Sequence, residues 1–359
     1  MKLLLTAGAR PNFMKLSPIV RELKKHPEID FEIVHTGQHY DDNMNDIFFR
    51  ELDIPKPNYN LGVGSGSHGE QTGKIMIDFE KICKYEKPDI VVVIGDVNST
   101  LACALVASKL HIKVAHIEAG LRSYDMTMPE EINRIVADVV SDYLFCSIKE
   151  AHGNLIKENY DDKKIFIVGD TMIDNLLYNV QKINDNPYKD KGKYIALTLH
   201  RPSNADNKDT LQKILVALYE ISLTNKIIFP IHPRTKNKIE EFGYTHLINH
   251  KNITILDPLG YIEFLTLMKY SSLIITDSGG LQIEAAALNI PCITLRENTE
   301  QIDTIESGHN VLVGCNYVSI IDQTYKRLDP DFKLSPLDDG LRDGKVSERI
   351  VNVLLNKGI

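Results

Sequence analysis

The chain has 359 residues, 43% of them hydrophobic and 25% charged. At roughly 100–200 residues per domain this describes two folded domains, and it excludes a disordered chain, a fibrous repeat and a membrane bundle. A net charge of −8 speaks against nucleic acid as a partner, because phosphate backbones are bound by clustered positive charge. It leaves room for one small anionic ligand held by local donors.

Taken in order, short apolar runs alternate with amphipathic segments. Lys2–Thr6, Phe31–His35, Ile90–Gly95, Lys113–Ile117 and Ile165–Gly169 read as strands. Each is bounded by Gly, Asp or His, as expected of parallel strands covered on both faces. Between them, Phe13, Leu16, Val20 and Leu23 share a helical face, as do Ile75, Phe79, Ile82 and Cys83. Leu101–Lys109 and Glu130–Val140 also read as helices, the latter opened by Pro129.

The second half repeats this grammar. Tyr194–Leu199, Lys226–Ile231, Ile253–Leu256, Leu273–Thr276 and Cys292–Leu295 read as strands. Leu211–Ser222, Ile262–Tyr270, Gln282–Leu288 and Ser319–Arg327 read as helices, and the tail Val346–Lys357 carries Ile350, Val351, Leu354 and Leu355 on a helical face. Strict β/α alternation predicts α/β architecture: two doubly wound parallel-sheet domains with a cleft between them, divided near Gly169–Asp174.

Five scattered Cys (Cys83, Cys103, Cys146, Cys292, Cys315) with no CxxC argue against a disulfide framework or a thiolate zinc site. The amino-terminal apolar run breaks at Gly8-Ala9-Arg10-Pro11, too early for a signal peptide. No run approaches the roughly 20 apolar residues that span a bilayer. The expected place of action is the cytoplasm, with no membrane partner.

Ligands of open α/β sheets bind at the carboxyl ends of strands, so the residues just after each strand carry the chemistry. Gly8-Ala9-Arg10-Pro11-Asn12-Phe13-Met14-Lys15 joins strand to helix with two cations suited to an anion, and a solvated loop explains it equally well. Gly95-Asp96-Val97-Asn98-Ser99 on its own reads first as a helix cap. Glu118 ends a strand and Glu130 opens a helix, ahead of Arg134. Asp96, Glu118 and Glu130 fall at ends of neighbouring βα units, where carboxylates shift one another's pKa and furnish an acid beside a base. His200-Arg201 and His232-Pro233-Arg234 suit a diphosphate or proton transfer. Asp277-Ser278-Gly279-Gly280 opens a helix whose N–H groups suit a phosphate, with Glu284 one turn in, placed to accept from ribose hydroxyls.

The ordered set GARPNFMK, TGQHYDDNM, GDVNST, HIEAGLRS, MPEEINR, GDTMIDN, LHRPSN, HPRT, DSGGLQIEA and LRENTE resembles the non-hydrolysing UDP-N-acetylglucosamine 2-epimerase family over nearly the whole chain. The resemblance implies a GT-B-like pair of Rossmann-like domains, residues 1–170 with 346–359 and residues 171–345, the last helix returning to the first domain, and a homodimer. It implies catalytic roles for Asp96, Glu118, Glu130, His200 and Lys15. UDP contacts fall on Arg10, Ser278, Gly279, Gly280 and Glu284, with Phe264 beside uracil. Gln38 and His39 match a region where some bacterial members bind a second, activating UDP-GlcNAc, and Arg134 and His232 are further candidate contacts. The implied reaction inverts C2 of a UDP-2-acetamido sugar by anti elimination of UDP and re-addition through a glycal, with no cofactor or metal. The chain departs from the commonest family pattern at Val97, Ile283 and Gln301-Ile302-Asp303. Relatives acting on UDP-2,3-diacetamido-2,3-dideoxyglucuronate look similar in departing at the last two places, so that sugar is the alternative substrate. A GT-B glycosyltransferase, a hydrolysing epimerase and a non-catalytic sensor are the competing functions.

Overall fold

The computed structural model describes residues 1–38, 49, 52–299, 301–335 and 340–357. The chain forms two compact units, Met1–Asn175 with Asp339–Ile359, and Leu176–Asp338.

In the first unit, β1 (Lys2–Ala7), β2 (Asp30–His35), β3 (Tyr59–Asn60), β4 (Ile90–Ile94), β5 (Lys113–Ile117), β6 (Tyr143–Cys146) and β7 (Ile165–Ile167) form one sheet in the order β3-β2-β1-β4-β5-β6-β7. Every pairing is parallel. Successive strand side chains point to opposite faces, so the unbroken apolar runs feed two cores. Leu3, Leu5, Val92 and Ile94 pack against Phe13, Leu16 and Val20 of the helix Arg10–Leu23. Leu4, Val91 and Val93 face Ile75, Phe79, Ala102 and Cys103 of the helices His68–Glu86 and Asn98–Lys109.

The helix Val346–Lys357 belongs to the first core, through Val346, Ile350, Val351 and Leu354. Asp174 holds its start, accepting from the amides of Val346 at 3.0 Å and Ser347 at 2.7 Å. Gly169 makes the returning chain possible: at φ +98° a Cβ there would sit 2.5 Å from the Leu341 carbonyl oxygen.

The second unit repeats the plan with β8 (Tyr194–Leu197), β9 (Lys226–Pro230), β10 (Ile253–Leu256), β11 (Leu273–Thr276), β12 (Cys292–Thr294) and β13 (Asn310–Leu312), in the order β10-β9-β8-β11-β12-β13. All its pairings are parallel. In each sheet the strand order reverses once, at β1/β4 and at β8/β11. That reversal splays the flanking loops and opens the crevice in which doubly wound sheets bind ligands.

Several elements escaped the sequence reading. β6, Tyr-Leu-Phe-Cys, is a four-residue buried strand following a helix with almost no punctuation. β3 and β13 are two and three residues long, below any readable period. The helix Lys149–Lys157 buries only Ala151 and Leu155, so its apolar stripe is too thin to register. Among the described residues no helix is long and apolar enough to cross a membrane, and all five Cys are free.

Candidate functional site

At the β1/β4 reversal, β1 runs through Gly8 into the helix Arg10–Leu23. The Asn12 side chain accepts from the Ala9 amide at 3.0 Å and donates to the Ile94 carbonyl at 3.2 Å, tying the loop to β4. A Cβ on Gly8 would meet Ser99 Oγ at 2.2 Å, so only Gly lets the two loops approach this closely. Arg10 opens the helix, and Lys15 projects from its second turn to Glu118 Oε2 at 2.6 Å.

Glu118 follows β5 with φ +72°, a left-handed conformation that costs a side-chain-bearing residue about 1–3 kcal/mol and clusters at functional sites. The turn is held by Glu118 and Ala119 amides donating to the Phe145 carbonyl at 3.0 and 3.1 Å. Its carboxylate passes 3.4 Å from where a Gly95 Cβ would stand, next to Asp96. Asp96 accepts from Arg134 Nη2, and Arg134 Nη1 is fixed in turn by Glu131 at 2.8 Å.

Electrostatics sort these groups. Burial raises the Glu118 carboxyl; Lys15 opposes, Asp170 and Asp96 add to the rise, and the net direction is up. The Asp170 carboxyl is likewise pushed up, first by burial, against Lys15 and the Met172 amide. Burial works against the Lys15 ammonium, but Glu118 and Asp170 outweigh it, so it stays charged. Two carboxyls with raised pKa around one cation form a group in which a proton is held more readily than on a free carboxylate.

Glu130 lies exposed in the first turn of the helix Pro129–Val139 and lines a cavity of about 250 Å³ with His68, Gln71, Asn98 and Asn133. Gln38 lines this cavity as well, yet its side-chain oxygen caps the next helix, accepting from the Ser99 amide at 3.0 Å. His39 lies outside the described residues.

Behind the carboxylates is a fully buried support. His116 faces Asp138 Oδ1 at 2.6 Å through Nδ1 and the Gly95 carbonyl at 2.9 Å through Nε2. Both partners are acceptors, so both ring nitrogens carry protons. Burial lowers the His116 pKa, but Asp138 and the Gly95 carbonyl reverse this and raise it. A raised folded-state pKa adds stability that is complete below the unfolded value of about 6.5. That stability is lost as pH climbs through the folded value. Urea unfolding midpoints should therefore fall as pH rises above about 6.5, and the fall should be smaller in His116→Gln. An equal fall in the variant would refute it.

In the second unit the β8/β11 reversal brings together His200, Ser278 and their neighbours. Thr198, His200, His232, Phe264, Ser278 and Leu281 are among the residues lining a cavity of about 310 Å³. Ser278 caps the helix Gly279–Ala287 by position but makes no side-chain cap bond, and its own amide donates to Thr276 Oγ1 at 2.9 Å. The Ser278 N–H is thus engaged within the chain, while its side chain makes no cap bond. Glu284 is buried one turn into that helix.

Known proteins match this arrangement along its length. The family model for UDP-N-acetylglucosamine 2-epimerase matches residues 21–355. The chain belongs to the UDP-N-acetylglucosamine 2-epimerase family. This is a family of isomerases, and the two parallel-sheet units are its GT-B-like fold. The UDP-N-acetylglucosamine 2-epimerase of Methanocaldococcus jannaschii is 49% identical, with 99% of each chain covered. The UDP-2,3-diacetamido-2,3-dideoxy-D-glucuronate 2-epimerase of Pseudomonas aeruginosa is 42% identical, again with 99% of each covered. The crystal structure of the M. jannaschii UDP-GlcNAc 2-epimerase in complex with UDP-GlcNAc and UDP superimposes with a TM-score of 0.83 at 48% identity, covering 99% of this chain and 100% of that one.

Within this epimerase frame, Lys15, Asp96, Glu118 and Arg134 meet in the first unit, while His200, His232, Phe264 and Ser278 meet in the second. The sequence reading passed over Asp170, Asp277, His116 and Asp138. Asp170 and Asp277 stood inside the quoted GDTMIDN and DSGGLQIEA segments, each directly after a strand, which was the usable signal.

Proposed function

We propose that the protein epimerises C2 of a UDP-2-acetamido sugar without hydrolysis, interconverting UDP-GlcNAc and UDP-ManNAc. The observation that carries this is the carboxylate group of the first unit: Glu118 buried against Lys15 with a raised pKa, beside an Asp96 salt-bridged to Arg134. No carbonyl acidifies the C2 hydrogen of such a sugar, so direct proton exchange would be very slow, and elimination provides the way round. A carboxylate removes the C2 proton, the C1–O bond breaks, and its electron pair leaves on the β-phosphate oxygen of UDP. The resulting glycal is protonated at C2 on its other face as UDP adds back to C1. Asp96 suits the base; Glu118, pushed toward its protonated form, suits the acid. Arg10, His200 and the start of the helix Gly279–Ala287 stabilise the departing diphosphate. The homodimeric and cytoplasmic state expected of the family is part of this proposal.

The test is incubation with UDP-GlcNAc in D2O followed by NMR. Deuterium at C2 with UDP still attached is the expected result. Net UDP release would instead indicate a hydrolysing enzyme, acceptor-dependent release a glycosyltransferase, and an unchanged spectrum a different substrate. For that last case the alternative is UDP-2,3-diacetamido-2,3-dideoxyglucuronate, favoured by Ile283, by Gln301-Ile302-Asp303 and by the P. aeruginosa relative. The same assay on that sugar decides between them.

A further inference from the structure

Asp277 has no role in the reaction derived above, yet it is among the most constrained polar groups of the second unit. Its side chain is 0% exposed and lies 2.8 Å from Nδ1 of His200, whose side chain is 43% exposed at the cavity. Its Oδ2 accepts from the amides of His200 at 3.0 Å and Arg201 at 2.8 Å, and from Asn204 Nδ2 at 3.3 Å. Oδ2 thus takes three donors, while Oδ1 faces the imidazole and shares the His200 amide, at 3.2 Å. Burial pushes the Asp277 carboxyl up, but the His200 ring and these amides outweigh it and the net direction is down. Asp277 is an anion, and an anion at Nδ1 demands a proton there.

The neighbouring ring is set the opposite way. His232 Nδ1 accepts from the Arg234 amide at 3.1 Å, so its proton sits on Nε2. Burial, with His200 and Arg234, lowers the His232 pKa and keeps that ring neutral. The two rings lie 6.1 Å apart between centroids. One wall of the cavity therefore carries two imidazoles held through Nδ1 in opposite ways, one facing an acceptor and one facing a donor.

We propose that Asp277 is the positioning residue of His200: it fixes Nδ1–H inward, so that Nε2 faces the cavity and alone gains and loses a proton. Resting on the epimerase reading, this orients Nε2 of the imidazolium to give its proton to the β-phosphate oxygen as the C1–O bond breaks. The same proton returns to Nε2 when UDP adds back, so none is consumed.

The experiment is long-range 1H–15N correlation NMR of the full chain, with His200→Asn to assign the ring and kcat and KM measured alongside. In the wild type the neutral ring should show Nδ1 protonated and Nε2 bare. In Asp277→Asn the single amide oxygen should stay with the three converging donors. Its NH2 then faces Nδ1, and the proton should move to Nε2, as a carboxylate-to-amide change does in a His–Asp pair. Expected with it is a roughly 10²-fold or larger fall in kcat, with KM little changed. In a His200→Asn background, Asp277→Asn should add almost nothing. A wild-type ring protonated on Nε2 overturns the proposal even if the variant fails to fold. So does an equal kcat loss in both backgrounds, which would mark Asp277 as merely structural. Because the tautomer is read without substrate, failure of the epimerase reading would leave this result standing on its own.

Discussion

Replacing Asp96 by Asn, or Glu118 by Gln, should cut turnover by about 10²–10⁴-fold, the usual scale for a lost acid or base. UDP should bind each variant with unchanged Kd. On the proposed reading the two effects separate because Asp96 and Glu118 stand on the first sheet, while the cavity lined by His200, Phe264 and Ser278 stands on the second. Glu118→Gln is the more informative change. The amide keeps the shape of the strained turn after β5 and an oxygen to accept from Lys15, but it cannot carry a proton to C2. The pH dependence of kcat should therefore lose the arm belonging to this carboxyl. Steady-state kinetics and calorimetric titration with UDP decide the matter. Near-normal kcat in either variant would remove that residue from the chemistry, and lost UDP affinity would make it a binding group.

A second large effect is expected far from any substrate. Asp138→Ala should destabilise the first unit by about 3–5 kcal/mol, the range seen when one partner of a buried ion group is deleted. Asp138 is fully buried between His116 and Arg122, whose side chains are 0% and 1% exposed. It also accepts from the Gly120 amide at 3.1 Å. Removing it confronts two buried cations and orphans an N–H, while Arg122 keeps Glu158 as its ionic partner among the described residues. For a unit of this size about 2–4 °C of melting temperature accompanies each kcal/mol, so a drop of roughly 6–20 °C is expected by calorimetry. A loss under 1 kcal/mol would mean that His116 simply sheds its proton at little cost. Asp138→Asn separates charge from shape, since it keeps a hydrogen-bond partner for the ring.

The legible parts of the fold were those with a strong period. β5 and β11 fall where the alternation of apolar and polar runs placed them, because each fills a pleat covered on both sides, and the half-buried edge strand β10 falls where its own apolar run placed it. The helix Val346–Lys357 was legible from its apolar face alone. What covers that face was not: Phe13 and Leu16 sit more than three hundred positions away along the chain. The site divides in the same manner. Asp96, Glu118 and His200 were visible because a polar residue just beyond an apolar strand is conspicuous, and Lys15 because it lies in the helix turn that the first such loop opens. Asp277 was hidden in plain view, since a buried Asp before Ser-Gly-Gly reads as a helix cap. Only the meeting of β8 with β11 shows that its carboxylate faces an imidazole. Asp170 was hidden for a similar reason, its partner Lys15 lying on a helix that follows a different strand.

By itself the sequence determined the class of fold, two α/β units of parallel strands, and spoke against a polyanionic partner. Both follow from local facts: the spacing of apolar residues sets the period, and a net charge of −8 bars a broad polyanion surface. It also singled out Arg10, Lys15 and His200, each in a segment that follows a strand. The tertiary structure decided the protonation. Whether a carboxyl is an acid, a base or an anchor depends on its burial and on the charges within a few ångströms. Strand order, not chain order, brings Lys15 to Glu118, Arg134 to Asp96 and Asp277 to His200.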